Sequence, residues 1–209
     1  MRLNRIEYPL MKNPIRAAIQ RHVEAPRLCR MGGPMRGGQA LELGCGWGVG
    51  TQLILELFGA DAVDAFELGP RMAARARRRH APRGSRVRVW VGDAPAISSP
   101  DASYNAVSDF GIIHHVPDWR RVLAEGHRVL KPGGRLYASS IWLRQEKPGR
   151  GGWIRQSDRN FSLEPMRRHL APPGKGRVAS RKRVLRSARV TVAAKRRQRA
   201  RRSWDWASK

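Results

Sequence analysis

Cysteine is scarce. Cys29 and Cys45 are the two in 209 residues, and Cys45 falls inside a glycine-rich turn, so there is neither a disulfide framework nor a four-ligand metal set. The six histidines include the neighbours His114 and His115, but no HExxH or cysteine knuckle accompanies them, and a bound metal is not required. No apolar run approaches the roughly 18 residues of a membrane span. Behind Met1 and Arg2 no continuous apolar segment leads to a small-residue cleavage site, so a secretory signal is not expected and a cytoplasmic location is. Acidic residues are also few: 16 Asp and Glu stand against 42 Lys and Arg, a formal charge of +26. Such a surface draws polyanions, but charge alone names no partner. Arginines spaced by alanine, as from Ala73 to Arg79, equally suit the solvated face of a helix.

What is present is enough apolar residue, 41%, for one sizeable core, and a single domain is expected. Leu10, Ile15, Ile19 and Val23 fall at helical spacing before Pro26, which predicts a helix and then a connection or a second short helix that could cover one end of a binding site. Glycines and Pro34 between Gly32 and Gly38 mark a turn-rich entry into the first strand. From Gln39 the pattern alternates. Strand QALELG, helix TQLILELF, strand AVDAFEL, helix PRMAARARRRH and strand VRVWVG precede a strand at 104–110, a helix at 119–130 and the strand GRLYASSIWL after a Lys-Pro-Gly-Gly turn. Short apolar strands interleaved with amphipathic helices predict an α/β fold with a mainly parallel sheet covered on both faces. Beyond Arg144 the signal fades into turn residues, with one helical piece expected in SLEPMRRHL. Residues 175–209 hold 14 Lys or Arg and one acid, Asp205, and only VASRKRVL and ARVTVAA suggest strands there, either the last two of the sheet or part of a less ordered tail.

The most informative stretch is LELGCGWGVG, residues 41–50, where an apolar strand runs into glycines 44, 46, 48 and 50 ahead of a helix. Glycines there permit a tight turn and close backbone approach to a nucleoside; the plainer reading is a glycine-rich turn and nothing more. Glu67 ends the second strand, 23 residues after Gly44, where its carboxylate can accept both ribose hydroxyl hydrogens or simply sit at the surface. Asp93, at the end of the third strand and beside Ala94, can accept from an adenine amino group or cap a helix.

Taken in order, LELGCGWGVG, FELGPRM, VGDA, DASYNAVSDFGIIHHVPDW and RVLKPGGRLY resemble the class I S-adenosylmethionine-dependent methyltransferases, in particular the subgroup acting on small molecules such as quinones. The resemblance is strong from Pro34 to Ile141. It implies a Rossmann-like fold and S-adenosyl-L-methionine as cofactor, with Gly44, Gly46 and Gly48 around its methionine and ribose parts and Glu42 near its ammonium. Glu67 would hold ribose, Leu68 would flank adenine, and Asp93 beside Ala94 would meet the adenine amino group. Asp109 and Phe110 would line the far side near the transferable methyl, although Leu68 and Phe110 are equally ordinary core residues. The implied division is an N-terminal helical cap over 1–38, a cofactor-binding core over 39–144, and a substrate loop with a basic C-terminal part over 145–209. Two positions depart from the family: Asn105 stands where many relatives have Asp, and Ser139, Ser140 and Ile141 supply no acid after the fifth strand.

Methyl transfer from a sulfonium is a direct displacement, so the protein has mainly to align an acceptor and exclude water. His115, and after it His114, are the candidate base or acceptor contacts, since histidine exchanges a proton near neutrality; a structural role is the alternative for both. SDFG in place of an Asn/Asp-Pro-Pro-aromatic motif argues against exocyclic base amines and toward an oxygen, carbon or nitrogen atom of a small molecule. Two other functions compete: an RNA methyltransferase recruited through the basic C-terminal region, and a non-catalytic S-adenosylmethionine-binding scaffold.

Overall fold

The computed structural model describes residues 14–141, 179–181 and 188–194. Seven strands form one sheet in the order β3-β2-β1-β4-β5-β7-β6. These are β1 (Gln39–Leu43), β2 (Ala62–Glu67), β3 (Val87–Val91), β4 (Tyr104–Asp109), β5 (Leu130–Ile141), β6 (Ala179–Arg181) and β7 (Ala188–Ala194). The first five are parallel, and β7 enters antiparallel between β5 and β6. The basic C-terminal region thus supplies the last two strands. The helices are α1 (Pro14–Ile19), α2 (Ala25–Gly32), α3 (Val49–Glu56), α4 (Pro70–His80) and α5 (Trp119–Val129). The helix expected in SLEPMRRHL, the loop expected after Arg144, and Leu10 lie outside the described residues.

Period-two alternation divides the core between the two faces of the sheet. Leu41, Leu43, Val107 and Leu136 pack toward Trp119, Val122 and Leu123 of α5. Ala40, Ala106 and Tyr137 pack toward Leu53 and Ile54 of α3 and Ala25 and Leu28 of α2. Glu42, Ser108 and Ser139 fall on the α2 and α3 face by the same alternation, so polar groups replace apolar ones there toward the carboxyl end of the strands. The one carboxylate buried in the middle of the sheet, Asp64 of β2, is matched by Arg88 at 2.6 Å and the Tyr104 hydroxyl at 2.8 Å, as a buried charge requires.

Two expectations change. The N-terminal helical segment does not end near Pro26: a π-helical turn (Gln20–Glu24) joins α1 to α2, and Pro26 sits in the first turn of α2, where its missing N–H costs nothing. The apolar spacing there misleads as well, because Ile15 is 64% exposed while Glu24, Ala25 and Leu28 are buried. The fifth strand also starts earlier than the Lys-Pro-Gly-Gly turn. Leu130 already pairs with Tyr104, and the next partners, Ala106 and Arg135, leave residues 131–134 as a bulge containing Gly133 at φ 83°.

After β1 the chain winds to one side through β2 and β3, and after β4 to the other through β5. The crevice between β1 and β4 is therefore the switch point where open α/β sheets bind ligands, outside the carboxyl ends of the strands.

Candidate functional site

Register brings the sequence motifs together at that edge. Leu43 lies opposite Asp109 of β4 on one side and Phe66 of β2 on the other, so the turn beginning at Gly44 emerges between Asp109 and Glu67. Gly44, Gly46 and Gly48 take φ of 61°, 54° and 80°, the left-handed region that side chains disfavour. A Cβ on Gly44 would lie 2.6 Å from the Ile112 side chain, so the loop after β4 closes directly on the turn. Gly48 is the N-cap of α3.

Glu67 is buried and fastens the turn. Its Oε2 accepts from the Gly46 N–H at 2.9 Å and its Oε1 from the Gly69 N–H at 3.0 Å. Each carboxylate oxygen keeps a second lone pair for a ligand hydroxyl. Leu68, next along, is 42% exposed, whereas Ala94 is buried in the core on the α5 side and Asp93 is exposed. No helix follows Asp93: its backbone bridges to Ala96 in a tight turn, so the capping alternative does not arise.

Glu42 and Asp109 form the floor. Glu42 is buried and accepts a hydrogen bond from the Thr51 hydroxyl of α3; burial pushes its pKa up to about 8, with Glu67 and Asp109 adding like-charge repulsion. Asp109 accepts from the Ile112 and Gly111 N–H groups at 2.6 and 2.9 Å. Burial raises it to about 7 despite those bonds. Phe110 turns its ring into the core, edge-on to Phe58 at 6.3 Å, and leaves its carbonyl to accept from Arg16 at 2.7 Å. Thus the N-terminal helical segment reaches the site edge.

Ile113–His115 is a short 3₁₀ turn just beyond β4; His115 is exposed on it. Asn105 lies at the other end of β4, where its side-chain oxygen accepts from the Gln39 N–H at 3.1 Å and from Lys131 at 3.2 Å. It fastens the amino edge of the sheet and takes no part in the site. Sequence reasoning missed His80, whose Nε2 lies 2.8 Å from the Gly48 carbonyl, and Glu24, buried behind Asp109. His80 closes an arginine-rich helix, and Glu24 sits in a segment without a motif, so neither carried a signal.

These residues suit a ligand with a nucleoside and positive charge. The turn offers backbone with no side chain in front of it, since a Cβ at Gly46 would meet only the Met72 methyl at 3.5 Å. Buried Glu42 and Asp109 lack a cation of their own in any printed bond, and a cationic group is what would let them ionise.

Residues 40–134 match the methyltransferase domain family. A demethylmenaquinone methyltransferase of Thermus thermophilus is 41% identical over 78 residues, which is 37% of this chain and 35% of that protein. A malonyl-[acyl-carrier protein] O-methyltransferase of Serratia marcescens is 33% identical over 125 residues, 60% of this chain and 46% of that protein. The chain spans less than half the length of these curated relatives. The fold of an S-adenosylmethionine-dependent methyltransferase from Aquifex aeolicus superposes with a TM-score of 0.71 at 18% identity, over 92% of this chain and 99% of that one.

Proposed function

On the premise that the chain belongs, through residues 40–134, to the class I S-adenosylmethionine-dependent methyltransferases, we propose that it transfers a methyl group to an oxygen, carbon or nitrogen atom of a small molecule. The observation that carries this is the convergence, at the switch point between β1 and β4, of a left-handed glycine turn with Glu67 on one side and buried Glu42 and Asp109 beneath. S-adenosylmethionine supplies, when bound, an electrophilic methyl on a positively charged sulfur.

The chain's own residues then do the rest. The backbone of Gly44, Gly46 and Gly48 cradles the methionine and ribose parts, and Glu67 takes the ribose hydroxyls. Leu68 covers one face of the adenine, with Asp93 and Ala94 at its amino end. Glu42 and Asp109 hold positive charge, and Phe110 backs the acceptor side through its carbonyl. His115, ahead of His114, holds or takes a proton at the acceptor. Such a site gains most from alignment in a water-poor crevice.

Calorimetry of S-adenosylmethionine against the full chain, followed by transfer of labelled methyl to a panel that includes quinols, tests this reading. No cofactor binding would sink it; binding without turnover on any acceptor would favour a scaffold. RNA recruitment is the second reading, supported by exposed Arg71, Arg78 and Arg79 on α4 and the basic 175–209 region. Strongly salt-dependent, sequence-selective RNA methylation would favour it. A cytoplasmic setting suits either. Among the described residues no helix is long and apolar enough to cross a membrane.

A further inference from the structure

Beneath the N-terminal helical segment lies a polar pocket wall that the cofactor site does not use. Glu24 is fully buried; its Oε1 is bound by Arg16 at 2.8 Å, while its Oε2 has no hydrogen-bond partner. The Ser139 hydroxyl is close enough to Glu24 to influence its ionisation, yet completes no hydrogen bond. The Ser108 hydroxyl, on the neighbouring strand and the same sheet face, is also buried and without a partner. Each such atom costs about 1–3 kcal/mol unless something pairs with it, so three of them on one face call for an occupant.

The local geometry is built for this. Residues eight apart on a continuous α-helix are about 80° out of line around the axis. The π turn (Gln20–Glu24) winds less per residue and brings Arg16 and Glu24 onto one side. Arg16 then spans from Glu24 to the Phe110 carbonyl, tying the pair to the carboxyl end of β4 beside Asp109.

We propose that Glu24 and Ser139 form the acceptor-recognition site, and that they select a neutral hydroxyl. A hydroxyl can donate to Glu24 Oε2 and accept from Ser139 Oγ at once. An ammonium only donates, and the Glu24 charge is already matched by Arg16. A carboxylate only accepts, and meets Glu24 and Asp109. Glu24 thereby takes the place of the acid that β5 lacks at Ser139 and Ser140. This rests on the methyltransferase reading.

The test uses the full chain saturated with S-adenosylhomocysteine, so that no turnover intervenes, and measures binding of catechol, benzoate and benzylamine by calorimetry. Catechol is expected to bind best and to weaken about tenfold in Glu24→Gln and severalfold in Ser139→Ala, with S-adenosylhomocysteine affinity held within about twofold in each. Ser139→Ala removes one oxygen and keeps the Arg16–Glu24 pair, so it stays informative if Glu24→Gln folds poorly. Catechol affinity unchanged in Ser139→Ala, no catechol binding by the wild type, or equal binding of benzoate or benzylamine would overturn the proposal and leave water as the occupant. Failure of the wild type to bind S-adenosylhomocysteine would instead remove the methyltransferase reading itself.

Discussion

His80, the last residue of α4, places its Nε2 2.8 Å from the carbonyl oxygen of Gly48, the N-cap of α3, so one helix end holds the glycine turn that opens the next. To donate to that carbonyl, Nε2 must carry the proton and Nδ1 must be bare; Nδ1 is buried without a hydrogen-bond partner. Burial lowers the His80 pKa, Arg83 and Arg79 add to the fall, and the Gly48 bond and Glu56 oppose it. The folded state therefore binds fewer protons here than the unfolded chain. The stabilisation is present above the ordinary histidine pKa and is lost as pH falls below it. His80→Asn, whose amide can donate without titrating, should lose less melting temperature than wild type between about pH 7.5 and about pH 5.5. His80→Ala should weaken cofactor binding severalfold at neutral pH, and calorimetry reads that directly.

Glu67 joins β2 to the turn through two backbone N–H groups, and the proposed site adds ribose hydroxyls to the same carboxylate. Hydrogen bonds to a charged group are worth about 1.5–3 kcal/mol. Glu67→Ala should therefore weaken S-adenosylmethionine about tenfold to a hundredfold. Gly46→Val should do at least as much, because a β-branched residue at φ 54° is a steric outlier. Calorimetry on variants with wild-type circular dichroism is the measurement; unchanged affinity in both would remove this assignment.

The raised carboxyls give a pH signature of opposite sign. Folded Asp109 and Glu42 keep protons up to about pH 7 and about pH 8, whereas the unfolded chain releases them near 3.8 and 4.5. Their contribution to stability is whole below the unfolded values and is lost as pH rises through the folded ones. The ligand-free protein should thus lose stability through these groups as pH climbs from about 5 to about 8, and Glu42→Gln should flatten that slope. S-adenosylmethionine should bind more tightly over the same rise, because its positive charges favour the ionised carboxyls. Calorimetry in buffers of different ionisation heat should show protons released on binding; uptake would contradict the scheme.

His115 is exposed on the turn after β4, at the edge where an acceptor would enter. His115→Ala should lower kcat about tenfold to a hundredfold without changing cofactor affinity, and His114→Ala should do less. Normal turnover by His115→Ala, once an acceptor is in hand, would leave it a structural residue.

The sheet was legible because its strands are short apolar runs cut by Gly and Pro, and β1 to β4 needed only trimming at their ends. The glycine turn, Glu67 and Asp109 were legible because they are adjacent to strand ends, and parallel register does the rest. Glu24 was hidden because its burial depends on a π turn and on Arg16 eight residues earlier, a pairing that helical periodicity argues against. His80 was hidden among arginines that face solvent. Asn105 misled in another way: it sits near the site in sequence order but at the amino edge in space, since a strand carries its two ends to opposite rims.

The antiparallel entry of β7 between β5 and β6 also sets a timetable. Synthesis completes β1 to β5 long before residues 188–194 exist, and chains fold from the N-terminal side as they emerge. Through that interval β5 presents an unpaired backbone edge beside its finished neighbours, the kind of edge that templates association with another chain. The closing strands are the most distant partners in the sheet by sequence, and such pairings form late. The nascent protein therefore has a nearly built crevice before it has a protected sheet, and its yield in the cell depends on how long that edge stays open.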